Sequence, residues 1–162
     1  MAVEPRFLAD ATLGKLAKWL RILGYDTRLG EANLNAAQLV RLARAEQRIL
    51  LTRDSALARR RGVRVLLLHS GQLSQQMAQL QEELGVSAVA PFTRCPVCNS
   101  ELDAIPKDRA WGQVPPYIFC TQEEFRVCPT CDRFYWRGTH RALMGERVAE
   151  WEQVGRSEDD EL

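Results

Sequence analysis

No stretch of the sequence stays apolar for the roughly 20 residues that a membrane-spanning helix needs, so such a span is not expected. The opening residues, MAVEPRFLAD, lack the charged, apolar and small-residue succession of a secretory leader. A cytoplasmic location is the expectation that follows. No segment repeats another, and neither charge predominates: 22 Lys and Arg face 21 Asp and Glu, for a net charge of +1. Cysteine is missing from the first 94 residues. The five present (Cys95, Cys98, Cys120, Cys128 and Cys131) are an odd number without a secretory signal. That argues against a disulfide framework and for metal in a reducing compartment.

What is there suits a globular protein. With 162 residues, 46% hydrophobic and 27% charged, the chain can form one ordinary domain and a small module. The balanced charge conceals an asymmetry. Residues 1–94 carry 14 basic and 8 acidic side chains, and residues 95–162 carry 8 and 13. Seven of those acids lie from Glu146 on, with two arginines. A basic domain with an acidic tail suits a polyanionic partner. The same charges also suit a solvated surface, and charge alone does not separate the two.

Apolar periodicity organises the first 92 residues. Arg6 to Ala9 reads as a buried strand ending at Asp10. Leu13, Leu16, Ala17, Leu20 and Leu23 then share one helical face, stopped by Gly24. Tyr25 to Leu29 reads as a strand, and Asn33 or Asn35 can cap a helix that runs to about Gln47. Arg48 to Thr52 is a strand ending at Asp54, Ser55 to Arg61 a short helix, Arg64 to Leu68 a strand, and Ser74 to Leu84 a helix closed by Gly85. Such alternation implies βαβ units, right-handed crossovers and a mostly parallel sheet, an α/β fold. The alternation stops near Pro91-Phe92-Thr93. The expected division is therefore 1–92, an α/β domain; 93–145, a cysteine module; and 146–162, an acidic tail predicted to be disordered.

The module holds two C-P-x-C knuckles, Cys95/Cys98 and Cys128/Cys131, with 29 residues between them. Each knuckle offers two thiolates from one tight turn, and two knuckles close a tetrahedral site for structural zinc. A closed four-thiolate site has no open position, so it stabilises and does not catalyse. A redox reading leaves the second pair without a role. Tyr117-Ile118-Phe119 and Phe134-Tyr135-Trp136 are β-prone and expected as ribbon strands. Cys120 is expected as a small buried hydrophobe. His140 is surplus to a four-thiolate site, and it either packs or meets substrate. His69, after Leu66-Leu67-Leu68, reads as structural.

Asp10 and Asp54 each end a predicted strand, and if the strands are parallel both carboxylates emerge at one sheet edge, where such sheets bind ligands. Clustered carboxylates repel, and a divalent cation relieves the repulsion. Bound Mg²⁺ or Mn²⁺ can activate water against a phosphodiester. Lys15, Lys18, Arg21, Arg53 and Arg59 to Arg61 would then hold the phosphate backbone. The alternative is that Asp54 caps the helix beginning at Ser55, Asp10 caps the helix near Leu13, and the arginines face water. Spacing leaves both open. An aspartyl-phosphate loop is a poor fit to DATLG, since Thr12 stands where its second Asp belongs.

FLADATLGKLAKWLRILGYD, RILLTRDSAL, RCPVCN and CPTCDRFYWRGTH occur in that order. Together, over about residues 6 to 144, they resemble the PIN-like ribonuclease domain with zinc ribbon found at the C-terminus of Mut-seven exonucleases and in stand-alone prokaryotic proteins. The resemblance implies a PIN-like α/β fold followed by a zinc ribbon, a Mg²⁺- or Mn²⁺-dependent ribonuclease activity, and single-stranded RNA as partner. It implies Asp10 and Asp54 as catalytic acids, and the GYD motif adds Asp26. Members often carry an acid just before the second helix, where this chain has EANLNAAQL with Asn33 and Asn35. Either the site has fewer charges, or Glu31 or Glu46 substitutes, or that acid was only a helix cap. The rival expectation is a non-catalytic RNA-binding or RNA-processing subunit that uses the basic face and the ribbon, which could also hold a protein partner.

Overall fold

A computed structural model describes residues 3–137 together with 147 and 150. The first half folds as β1 (Phe7–Ala9), α1 (Gly14–Ile22), β2 (Thr27–Leu29), α2 (Ala36–Ala45), β3 (Ile49–Thr52), α3 (Ser55–Ala58), β4 (Val65–Leu67) and α4 (Leu73–Leu84). The four strands are all parallel, in the order β2-β1-β3-β4. Strands covered on both faces read as unbroken apolar runs, and FLA and ILLT are buried at every position.

The pleat divides these runs between two cores. Phe7, Ala9 and Leu51 face one side with Leu16 and Leu20 of α1 and Met77 and Leu80 of α4. Leu8 and Leu50 face the other with Leu39 and Ala43 of α2 and Leu57 of α3. Right-handed crossovers require this arrangement, because α1 carries the chain one way from β1 and α2 carries it back past β1 to β3. The gap between the carboxyl ends of β1 and β3 is therefore the switch point of the sheet, where ligands of open parallel sheets bind.

Gly24 ends α1 with φ +105°, and a Cβ there would meet the carbonyl oxygen of Ala90 at 2.5 Å. The close approach lets the chain after α4 lie against the end of α1, where Ala90 N–H bonds Leu23 O and Phe92 N–H bonds Ile22 O.

The second half forms an antiparallel sheet of β5 (Asp103–Ile105), β6 (Phe125–Val127) and β7 (Phe134–Trp136) around Ala110, Val114 and Phe125. Phe134 to Trp136 is the strand expected, but Tyr117 to Phe119 is not. It lies in α5 (Pro116–Thr121), because Pro116 enters at the first helical turn, where its fixed φ and missing N–H cost nothing. Cys120 lies exposed on that helix, not buried as expected. Its neighbours Ile118 and Phe119 take the inward positions.

Candidate functional site

Asp10 follows β1 and Asp54 follows β3, so the parallel pairing of those strands carries both acids to the switch-point edge. Thr52 joins them. Its hydroxyl donates to Asp10 Oδ2 at 2.7 Å and accepts from the Asp54 N–H at 3.1 Å. Thr52 is fully buried, so this bridge is fixed by packing. Asp10 is held further by its N–H on Leu51 O, and its Oδ1 accepts from the N–H and the hydroxyl of Thr12. Asp54 caps α3, its Oδ1 accepting from Ala56 N–H at 2.9 Å. The capping alternative thus describes one oxygen of Asp54 and leaves Oδ2 without a donor among the described residues. Asp54 is thus a capping residue and an edge carboxylate at once, whereas Asp10 does not cap α1, whose N-cap is Leu13 without a side-chain bond.

Asp26 precedes β2, and the structure places it at the opposite edge, where Phe7 N–H bonds its carbonyl. There it meets Arg48 at 2.8 Å, Arg6 at 3.2 Å and the Asn99 amide at 2.7 Å. Burial opposes its charge, but the hydrogen bonds from Arg48 and Asn99 outweigh it and hold the carboxyl at about 2. Glu46 belongs to the same network, paired with Arg48 and Arg28 at 2.8 Å each. Burial again opposes its charge and the arginines win, lowering its pKa. Neither acid comes near Asp10, so Glu46 does not stand in for the acid lacking at Asn33 and Asn35.

Asn35 caps α2 in a capping box with Gln38. Glu31 does lie at the switch-point edge, one residue past Gly30, whose N–H bonds Ala9 O beside Asp10. It is exposed, and it forms no cluster of three ligand atoms with Asp10 and Asp54.

The basic residues divide similarly. Lys15, Lys18, Arg53 and Arg59 are exposed, and Arg53 sits between the two edge residues Thr52 and Asp54, its guanidinium lying over Gly71. Arg21, expected to hold phosphate, is 7% exposed. It donates to the carbonyls of Thr27, Pro96 and Val97 at 2.8–3.1 Å. A guanidinium committed in this way is a joint between the two sheets. His69 follows β4 at the switch-point edge and is exposed, while His140 lies outside the described residues, as does the tail expected to be disordered, apart from Arg147 and Glu150.

The cysteine cluster is built from two matching turns. In one, Cys95 N–H bonds Ser100 O and Asn99 N–H bonds Cys95 O; in the other, Cys128 N–H bonds Arg133 O and Asp132 N–H bonds Cys128 O. The residue after each second cysteine is left-handed, Asn99 at φ 71° and Asp132 at φ 57°. Asn and Asp are the side chains that tolerate this best. The four sulfurs lie within 4.8 Å of one another. Tetrahedral zinc–thiolate bonds would set them about 3.8 Å apart, so the donor set fits that ion. Among the described residues no other His, Cys, Asp or Glu group brings three ligand atoms so close. Burial opposes ionisation of Cys98, but hydrogen bonds with Ser100 and the neighbouring cysteines bring its thiol down to about 6. That bond with Cys98, together with burial, pushes Cys131 up to about 12. Four sulfurs so close cannot all ionise without a cation.

Three participants escape a sequence reading: Thr52, Asn99 and Tyr135, whose hydroxyl bonds Cys95 Sγ at 3.1 Å. Thr52 and Tyr135 read as β-formers, and only Asn99 carried a signal, as an amide after a knuckle.

Among known protein families, the model described as Mut7-C RNAse domain matches residues 5–148. No curated protein and no solved structure matches the chain.

Proposed function

Because the chain belongs to the Mut7-C RNAse domain family, we propose that it is a metal-dependent ribonuclease whose site lies at the carboxyl ends of β1 and β3. The supporting observation is the Thr52 hydroxyl bridging Asp10 and the Asp54 backbone at the switch point. Magnesium is commonly held by one or two carboxylates, with water and substrate phosphate completing its shell. Asp10 and the Oδ2 of Asp54 supply such a pair. A Mg²⁺ or Mn²⁺ ion bound there would lower the pKa of water and neutralise charge on a phosphodiester. The chain's part is orientation: Thr52 and Thr12 fix the Asp10 carboxylate, and capping of α3 fixes Asp54. Arg53, Lys15 and Arg59 supply charge for phosphates, and the substrate is single-stranded RNA. Asp26 serves the fold at the other edge.

Cys95, Cys98, Cys128 and Cys131 hold one structural zinc ion. Its thiolates suit a reducing compartment, the cytoplasm. No helix among the described residues is long and apolar enough to cross a membrane.

The test is cleavage of labelled single-stranded RNA with Mn²⁺ or Mg²⁺ and with neither. Wild-type chain should cut only with metal, Asp10→Asn/Asp54→Asn should not cut, and Thr52→Val should cut roughly 10- to 100-fold more slowly, as for other residues that orient a metal ligand. Metal-independent cutting, or a double variant as active as wild type, would overturn the reading. Binding without cutting would instead identify a non-catalytic RNA-binding subunit, a reading favoured because no third carboxylate among the described residues clusters with Asp10 and Asp54.

A further inference from the structure

At the edge of the first sheet opposite Asp10 and Asp54 lies a cavity of about 520 Å³. Arg6, Arg48 and Arg64, which directly precede β1, β3 and β4, line it together with Arg44 in the last turn of α2. Asp26 and Glu46 stand at the same edge, and Arg6, Arg28 and Arg48 share them, three cations on two carboxylates. Of the described lining residues only Glu4 is acidic. Arg44 and Arg64 are exposed, as are Arg60 and Arg61 in the connection before β4. None of these four side chains has an ion-pair or hydrogen-bond partner among the described residues. The Arg44 guanidinium lies beside Gly62, where a Cβ would stand 3.5, 3.6 and 3.7 Å from its Cζ, Nη1 and Nε. The last arginine of α2 is thereby set next to those of the α3–β4 connection.

Guanidinium groups without countercharge that converge on a cavity make an anion site, and their planar forks match phosphate oxygens in pairs. The lining carries no aromatic ring on which a base could stack. Such a surface meets the phosphate backbone and leaves sequence and base pairing unread. Its position links it to the acids. Val65 pairs with Leu50, so Arg64 stands level with Ile49, five residues before Asp54 and about 16 Å from it along the strands. About five nucleotides of stacked strand cover that distance. The path between the two places is basic throughout. After Asp54 the chain runs back through α3, Arg59, Arg60 and Arg61 to Arg64, and no acid follows Asp54 before Glu82.

We propose that this cavity is a second RNA-binding site, which holds phosphates away from the bond that is cut, on Arg44, Arg61 and Arg64, whether that part of the RNA is single or paired. The proposal rests on the ribonuclease reading for the identity of its polyanion, and its test separates the two. The full chain is titrated, without added Mg²⁺ or Mn²⁺, into a fluorescein-labelled 20-nucleotide oligouridylate and into a 20-base-pair RNA duplex. Arg44→Glu/Arg64→Glu should raise Kd about tenfold or more for both, and lower the log–log salt slope on the single strand by about 1.4, the share of two phosphate contacts. Arg44→Gln/Arg64→Gln should shift both in the same direction by less, and it decides the matter if the glutamates unfold the chain. Arg109→Glu changes an exposed arginine of the second half and should leave Kd within about twofold. With Mn²⁺, the glutamine pair should cut the 20-mer with a higher KM and an unchanged kcat, because the cavity does not touch the scissile phosphate.

An unchanged Kd on both RNAs would overturn the site, as would an equal rise with Arg109→Glu, which reports charge and not place. A rise on the single strand alone would overturn the phosphate-only contact. An unchanged Kd with a lower melting temperature would put the chain's own acidic stretch from Glu146 on in the cavity, and that too overturns the proposal. Wild-type chain that binds through Arg44 and Arg64 but cuts nothing would overturn the ribonuclease reading and leave the second site standing.

Discussion

Asp26 ties Arg6, Arg48 and Asn99 together at the edge of the first sheet opposite Asp10. Its carboxyl titrates at about 2 in the fold against an ordinary 3.8. A depressed value means the fold prefers the ionised form, so the stabilisation is complete above about pH 4 and is lost as pH falls towards 2. Its size, discounted for solvent screening, is on the order of 1 kcal/mol. Asp26→Asn should destabilise the chain by about 2 kcal/mol at neutral pH, because it takes from the buried Arg48 one of its two carboxylate partners and leaves it Glu46 alone. The gap between the two proteins in urea unfolding should narrow as pH drops from 4 to 2, whereas a constant gap would mean the charge is not the cause. At this scale the sequence separates roles poorly. Asp10 and Asp54 end predicted strands and Asp26 stands near the start of one, and only the polarity of the chain distinguishes a strand's end from its beginning. Read that way, Asp26 precedes β2 and was always bound for the other edge. Arg21 differs: its spacing put it beside Lys15 and Lys18, and its burial under a segment 75 residues away could not be read locally.

The two knuckles share one backbone form and divide the work. Asp132 is exposed, whereas Asn99 turns to the first sheet, where its amide donates to Asp26 and its Oδ1 accepts from Thr27 N–H at 3.0 Å. Glycine adopts the left-handed φ of Asn99 without strain, so Asn99→Gly isolates the side chain. It should retain zinc and lose about 2 kcal/mol, the sum of one neutral and one charge-assisted hydrogen bond. Denaturant unfolding with a zinc assay on the same sample checks this, and unchanged stability would mean the amide is idle. Regular elements were legible where a pattern was local. The helices α1, α2 and α4, the strands β1, β3 and β7, and the Gly85 stop follow from apolar period, β-propensity and glycine position, whereas α3 ends at Ala58 and not at the expected Arg61. Helix α5 was misread because Tyr, Ile and Phe favour strands in general, while Pro116 immediately before them decides in particular.

Across the whole molecule, α/β alternation and the cysteine spacing were enough to foresee a parallel sheet followed by a module with four clustered cysteines. The strand order β2-β1-β3-β4 was not, because order depends on which faces the helices cover. Nor was the joint between the sheets, where Arg21 and Asn99 link residues more than 70 positions apart. That joint gives the metal proposed for the cysteines a reach beyond its ligands. Stripping it with a chelator, or replacing Cys98 by Ser, should lower the melting temperature. It should also speed amide exchange at β6, at β7 and at Thr27 in the first sheet. A metal-free chain with wild-type protection at Thr27 would show that the sheets are independent.

Strand β2 stands at the edge of the parallel sheet. Thr27, its first residue, has its N–H taken by Asn99 and its carbonyl by Arg21. Open strand edges recruit further strands from other molecules, and here a side chain from a cysteine turn occupies the place where such a strand would begin. The turn is thus a guard against self-association. A chain without the zinc proposed for that turn would face a solubility problem that worsens with concentration, before any question of catalysis arose.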